Sequence, residues 1–421
     1  MAGYIQDRWF KTETDDNGNE IKAKTDRYGT GMRYRARYVG PDGTEKSKSF
    51  PDGKKRLAEK WLSHIESDME RGQYIDPKAS RTTFQQYAER WVAAQTTDVA
   101  TQSGAEYRLR LHAYPHIGSR PLGSFQPEHI RAWFRELQEK GLAASYRRVI
   151  ISNVSTVFTA AVDDGLMGKN PCRAVSVRLP AVVPSRVRPW TSERVFAVRA
   201  ALPEPYRAMV DAGSGCGLRQ GEIFGLPVDE ISFLRGWLHV AYQVKLINGH
   251  PVFAPPKRGK VRDVPLPETV GETFAAHMKQ CPPVDVTLPW LIPGGAPVTK
   301  KLLFTAPDGG AVLRSNFNVH AWKPALVTAG VIPQPKPGER IAESREDGMH
   351  ALRHFYASVL LDAGENIKAL SRYLGHTDPG FTLRVYTHLM PSSESRTRRG
   401  VDGMYRAAQG GDDGPQTAHA A

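Results

Sequence analysis

The sequence predicts an α+β chain of several domains: a small N-terminal β-sheet with one helix, an all-helical middle segment, and a mainly helical C-terminal part carrying a small antiparallel sheet. Three observations predict it. Apolar residues alternate with arginines near the N-terminus, helical stripes run through residues 82–178, and a strand-and-turn pattern interrupts the helices between Trp237 and Pro267. The 421 residues suit about two to four domains.

In YGTGMRYRARYVGPDGTEKSKSF, Met32, Tyr34, Ala36 and Tyr38 fall on one face and Arg33, Arg35 and Arg37 on the other. A Pro-Asp-Gly turn leads to a second strand bearing Lys46 and Lys48. This pattern suits a solvated edge hairpin and equally a cationic sheet face shaped to enter a major groove. Leu57, Trp61, Leu62 and Ile65 then mark a helix ending near Gly72, and the Asp76-Pro77 turn leads into a linker. Residues 1–75 are therefore read as one domain. Residues 80–178 are read as a second, of four or five helices; its first helix follows a Thr cap and stripes Phe84, Tyr87 and Trp91. CRAVSVRLPAVVPSRVRPW, rich in proline and arginine, reads as a linker.

The third domain, residues 185–400, opens with two helices. Strand, turn, strand, turn and strand follow, with Asn-Gly and Arg-Gly at the turns, and helices resume near 315–329, 350–363, 366–374 and 379–389. Residues 410–421 are small and polar and read as a disordered tail.

Composition narrows the function classes. Lys and Arg total 57 against 44 Asp and Glu, a formal +13, which favours polyanionic partners through counterion release. No run of apolar residues approaches the ~18–20 needed for a membrane span, and the N-terminus has no secretory h-region. Cys172, Cys216 and Cys281 form no CxxC pair, so neither a disulfide framework nor a zinc site follows; a reducing, cytoplasmic location is expected.

Four stretches carry the five motifs of candidate chemistry, the last stretch holding two. GCGLRQGE aims Arg219 from a glycine turn, with Glu222 one helical turn on. PPKRGKVRDVPLP puts Lys257 at the mouth of a hairpin, and Lys260 lies in the same turn as an alternative. HALRHFYASVLLDAG sets His350 and Arg353 on one helix face. His350 and His354 have metal-ligand spacing, but no Glu follows as in HExxH and the intervening Arg353 opposes a divalent ion, so no metal is assigned. In SRYLGHTDPGFTLRVYTHLMP, Gly375 reads as a helix C-cap and Asp378-Pro379 as the next N-cap and N1, holding His376 in a tight turn before Tyr386.

Taken in this order, GLRxGE, a hairpin lysine, HxLRH, LGH and a tyrosine ten residues later resemble the catalytic domain of the tyrosine recombinases, the phage-integrase family. Residues 82–178 resemble its core-binding domain by position and pattern, and the N-terminal sheet its arm-type DNA-binding domain. The resemblance implies an active-site set of Arg219, Lys257, His350, Arg353, His376 and Tyr386, with Glu222 supporting Arg219. It implies site-specific DNA recombination through a covalent 3′-phosphotyrosine, integrating or excising a mobile element such as a phage genome. The implied partners are double-stranded DNA at crossover and arm-type sites, a homotetramer at synapsis and a directionality factor, in the nucleoid and off the membrane. Two transesterifications exchange like bonds, so no cofactor is expected. A type IB topoisomerase shares this chemistry, and a DNA-binding regulator shares the fold; the separate N-terminal sheet favours the recombinase, and the complete residue set opposes decay.

The residue types suit that reaction. Arginine forks match non-bridging phosphate oxygens, and His376 supplies a further donor. Ionising a phenol of pKa near 10 in advance would cost about 4 kcal/mol at neutral pH, so the resemblance gives His350 the role of base. Lys257 is the candidate acid for the leaving 5′-oxygen.

Overall fold

The structure is a computed structural model describing residues 3–14, 20–41, 43–71, 74–76, 81–182, 187–339, 341, 346–376, 378–386, 398 and 401–406. The Pro77 side of the expected turn, the tail from residue 410 and residues 387–389 of the last expected helix lie outside them. The chain divides into two units, Met1–Val183 and Pro184–Ala421.

The first unit opens with β1 (Tyr4–Asp7), a hairpin of β2 (Phe10–Thr14) and β3 (Glu20–Lys24), then β4 (Tyr34–Val39), β5 (Glu45–Phe50) and α1 (Lys55–Glu70). β4 is the middle strand of an antiparallel sheet ordered β1-β4-β5. Its alternation is the one the sequence carries except at Met32, which precedes the strand and is exposed: Tyr34, Ala36 and Tyr38 are buried, with Phe50, Ala58 and Leu62 beside them, and the arginines face outward. Five α-helices follow: α2 (Phe84–Ala93), α3 (Val99–Arg108), α4 (Tyr114–Ile117), α5 (Pro127–Glu139) and α6 (Ala144–Asp163). Thr83 and Gln86 form a capping box at the start of α2. Phe84, Trp133, Ile150 and Phe158 lie in the shared core.

The second unit begins with α7 (Ser192–Ala201), α8 (Glu204–Cys216) and α9 (Gln220–Phe224). β6 (Ile231–Ser232), β7 (Trp237–Val240), β8 (Gln243–Ile247), β9 (His250–Ala254) and β10 (Arg262–Pro265) come next, then α10 (Glu268–Gln280) and a hairpin of β11 (Val284–Pro289) and β12 (Pro297–Leu302). α11 (Arg314–Phe317), α12 (Lys323–Thr328), α13 (His350–Asp362), α14 (Ile367–Tyr373) and α15 (Pro379–Tyr386) complete it. α13 packs on α8 around Met209, Cys216 and Leu352, and a smaller core of Tyr356, Leu361, Leu370, Leu374 and Tyr386 joins α13, α14 and α15.

The expected strand run forms, with a correction to its pairing. Asn248 and Gly249, both at positive φ, close the β8–β9 hairpin as their dipeptide predicts. β10, however, pairs with β7 in a sheet ordered β10-β7-β6. Lys257 is therefore not at a hairpin mouth but on a connection between two sheets. The cause is local: Pro255 and Pro256 lack N–H donors, so β9 cannot extend its ladder towards the Arg258-Gly259 turn. The β11–β12 hairpin has no counterpart in the sequence reading.

Candidate active site

The site is assembled around two glycines that end helices. Gly217 closes α8 at φ +64, and Gly375 follows α14 at φ +59, both left-handed conformations that side-chain-bearing residues rarely adopt. A side chain is excluded at the first position and crowded at the second. A Cβ on Gly217 would lie 2.4 Å from the Tyr356 ring, and one on Gly375 would press on the Arg262 side chain at 3.1 Å. These turns leave helix-end carbonyls without partners from their own helices, and arginines fill them. Arg353, on the inner face of α13, donates from Nη1 to the Gly217 carbonyl at 2.7 Å and from Nη2 to that of Leu374. Arg219 donates from Nη2 to the carbonyls of Leu374 at 3.2 Å and Gly375 at 3.4 Å.

One carboxylate ties the array together. Glu222, 1% exposed on α9, accepts from Arg219 Nη1 at 2.8 Å and from the Arg219 backbone N–H at 2.9 Å. Arg262, buried on β10, donates to the same carboxylate from Nη1 at 3.0 Å and Nη2 at 2.7 Å, and from Nε to the Tyr373 carbonyl at 2.6 Å. Burial alone would raise the Glu222 pKa; the Arg262 hydrogen bonds and charge, then Arg219 and Arg353, outweigh it and hold the carboxyl at about 2. Burial, then Arg219, push the Arg353 pKa downward, yet a guanidinium that donates to two carbonyls stays charged. Among the described residues Arg219 and Arg262 share the Glu222 carboxylate while Arg353 bonds backbone carbonyls, which leaves excess positive charge in a place where unpaired charge is expensive. Such an array is suited to an anion.

The remaining predicted groups border it. Tyr386 ends α15 with 2% exposure, and its hydroxyl lies 2.7 Å from His354 Nδ1. Burial pushes the phenol pKa up to about 12, against the opposing pull of Arg353 and Arg219. The His350 and His354 rings meet edge to face with centroids 4.6 Å apart. Burial and the Arg353 charge lower the His354 pKa to about 4. His350 is open to solvent on one side; the protein packed on the other, then His354, Arg353 and Arg219, depress it. His376 pairs through Nδ1 with Thr382 Oγ1 at 2.7 Å, and burial followed by Arg353, Arg219 and Arg262 lower it to about 3. All three imidazoles are neutral near pH 7.

The structure thus brings together Arg219, Glu222, His350, Arg353, His376 and Tyr386. Lys257 stays outside this hydrogen-bonded group and is exposed on its connection, whereas Lys260, the alternative in the same turn, lines a recess with His376. Sequence reasoning missed two members. Arg262 was hidden among the basic residues of KRGKVR, although a charge in register with inward Val264 on a period-2 strand is the signal that marks it. His354 was weighed only for metal spacing, yet one helical turn from His350 also places it on the face that meets Tyr386.

In the first unit, the sheet arginines are mostly engaged. Arg33 bridges Asp7 and Asp52, and Arg37 pairs with Glu45 and donates from Nε to Gln6 Oε1. Arg35 meets only Ser47 among the described residues. Lys46 pairs with Asp76, and Lys48 lies over the Phe50 and Trp61 rings.

Comparison with known proteins places the chain. Residues 192–392 match the Phage integrase family and residues 84–177 match the Phage integrase central domain. The integrase of Mycobacterium phage L5 is 26% identical over 403 residues, spanning 92% of this chain and 97% of that protein. The tyrosine recombinase XerC-like protein of Caldanaerobacter subterraneus subsp. tengcongensis is 24% identical over 291 residues, 66% of this chain and 70% of that one. Among solved structures, the Tn1549 transposon integrase in complex with a circular intermediate DNA shares the fold at a TM-score of 0.62 and 20% identity, covering 76% of this chain and 99% of that one. A lambda integrase tetramer bound to a Holliday junction aligns at a TM-score of 0.51 and 16% identity, over 82% and 89% of the two chains.

Proposed function

Since this chain belongs to the phage integrase family of tyrosine recombinases, the enzymes of site-specific DNA recombination, we propose that Tyr386 is its nucleophile and that the Arg219–Arg353 cradle holds the scissile phosphate. The observation that carries this reading is the gathering of two arginines, two neutral histidines and one buried phenol, drawn from the N-cap of α9, from α13, from the α14–α15 turn and from α15, within mutual electrostatic reach.

The attacking phenol forms the bond to phosphorus while the 5′-oxygen leaves, giving a 3′-phosphotyrosine; the reverse attack by a 5′-hydroxyl restores a phosphodiester. Charge growing on the non-bridging oxygens is met by the guanidinium forks and by His376. With a phenol pKa near 12, prior ionisation at neutral pH would cost roughly 7 kcal/mol, so the proton must depart during attack. His354 holds the phenol in the DNA-free state. A nucleophile with 2% exposure has to leave that partner to reach a phosphate, and neutral His350, open to solvent at the rim, then receives the proton. Lys257, long-stemmed and exposed, supplies the leaving oxygen's proton, with Lys260 its competitor for that role. Glu222 and Arg262 fix Arg219.

Residues 80–178 clamp the crossover site, and the N-terminal sheet within residues 1–75 reads arm-type sites. Among the described residues Arg35 is the sheet arginine that meets no carboxylate, so it leads the candidate contacts there, ahead of Arg33, Arg37, Lys46 and Lys48. Synapsis by a homotetramer, with a directionality factor choosing integration or excision of a mobile element, completes the proposal. The working place is the nucleoid; among the described residues no helix is long and apolar enough to cross a membrane.

A nicked suicide duplex provides the test. Wild-type protein is expected to form a denaturant-resistant DNA adduct, and Tyr386→Phe to bind the duplex without forming one. An adduct with Tyr386→Phe would remove the nucleophile from this residue.

A further inference from the structure

Beside His376 lies a recess of about 310 Å³ whose cationic lining exceeds what the cradle requires. Lys260, Arg262, Lys368 and Arg372 line it together with Ser371 and His376, and among the described residues no carboxylate does. Arg262 is spent on Glu222 and the Tyr373 carbonyl, so it contributes charge without a free fork. Lys368 and Arg372 are both exposed, one helical turn apart on α14. Like charges at that spacing weaken a helix, and the α14 sequence IKALSRY holds no acid to offset them. Neither side chain has an ion-pair partner among the described residues. Arg372 rests only on the Tyr373 ring, at 5.5 Å.

We propose that this recess seats a second DNA backbone phosphate, adjacent to the scissile one on the same duplex, with Lys368 and Arg372 as its ligands. The assignment rests on the recombinase reading, because His376 is what the recess and the proposed cradle share. The juxtaposition suits a strand more than a free anion, since a polyanion carries its charges at short, regular intervals along one line. A seat one phosphate away would fix the register of the duplex over Tyr386 without entering the chemistry.

The test measures binding of a crossover-site duplex across a salt series. For Lys368→Ala/Arg372→Ala, the slope of log affinity against log salt is expected to fall by about 1 relative to wild type. Charge-retaining Lys368→Arg/Arg372→Lys should restore it. Neutral methylphosphonate placed singly at each phosphate flanking the cleavage position should weaken wild type at one position and leave the alanine double variant indifferent there. Equal slopes for wild type and the alanine double variant would overturn the proposal, as would equal sensitivity to every methylphosphonate position. Adduct formation on the suicide duplex at saturating DNA is expected to survive in the double variant. Loss of adduct in wild type would instead sink the recombinase reading, so the two failures are distinguishable.

Discussion

Glu222 shows how much one side chain carries. Its carboxylate is bonded to Arg219 and Arg262 together, so Glu222→Ala leaves two guanidiniums without their shared partner. Removing one side of a buried pair costs about 3–5 kcal/mol, and a fall of that order in urea unfolding stability is expected. The pH dependence has a fixed sign. A carboxyl lowered from 4.5 to about 2 contributes stability that is present above 4.5 and lost as pH falls towards 2. His354 and His376, lowered from 6.5 to about 4 and 3, act in the same direction at milder acidity: the unfolded chain takes up protons below 6.5 that the folded site refuses. Chemical-denaturation midpoints should therefore decline steadily from pH 6.5 downward, and a flat profile to pH 4 would contradict this burial. For the reaction, His350→Ala is expected to slow adduct formation by roughly 10²–10⁴-fold. The sequence made these residue types legible through motif order, but not which neighbour touches which. Arg262 and His354 emerge only once β10 and α15 are packed.

At the level of elements, helix ends do the positioning. Gly217 and Gly375 were visible in the sequence as glycines at helix boundaries. Their use as carbonyl acceptors for Arg353 and Arg219 was not, because the partners are 136 and 156 residues distant. Gly217→Ala meets both an unfavourable φ and the Tyr356 ring, so it is expected to lower thermal stability by more than about 1 kcal/mol and to depress adduct yield with it. Strand identity was also readable, from the Asn-Gly turn and from alternation in β4. Pairing of β10 with β7 was not: Pro255-Pro256 is the local sign that the β9 ladder stops, but it does not say which strand β10 joins instead.

Across the whole molecule, the +13 charge indicated a polyanionic partner without locating it. The structure redistributes that surplus. Acids neutralise most of the N-terminal arginine row, while the second unit concentrates cations where carboxylates are few. Deleting residues 1–55 is expected to abolish arm-site binding in mobility-shift assays and spare the crossover site; equal loss at both would refute the division of labour between domains.

The concealment of Tyr386 beside His354 has a consequence for handling the protein. A phenol shut away from solvent resists nitration, so tetranitromethane should label it among the last of the tyrosines in free enzyme. Engagement of a duplex that draws it out should reverse that ranking, turning a simple colour change at one ring into a reporter of when the blade is unsheathed.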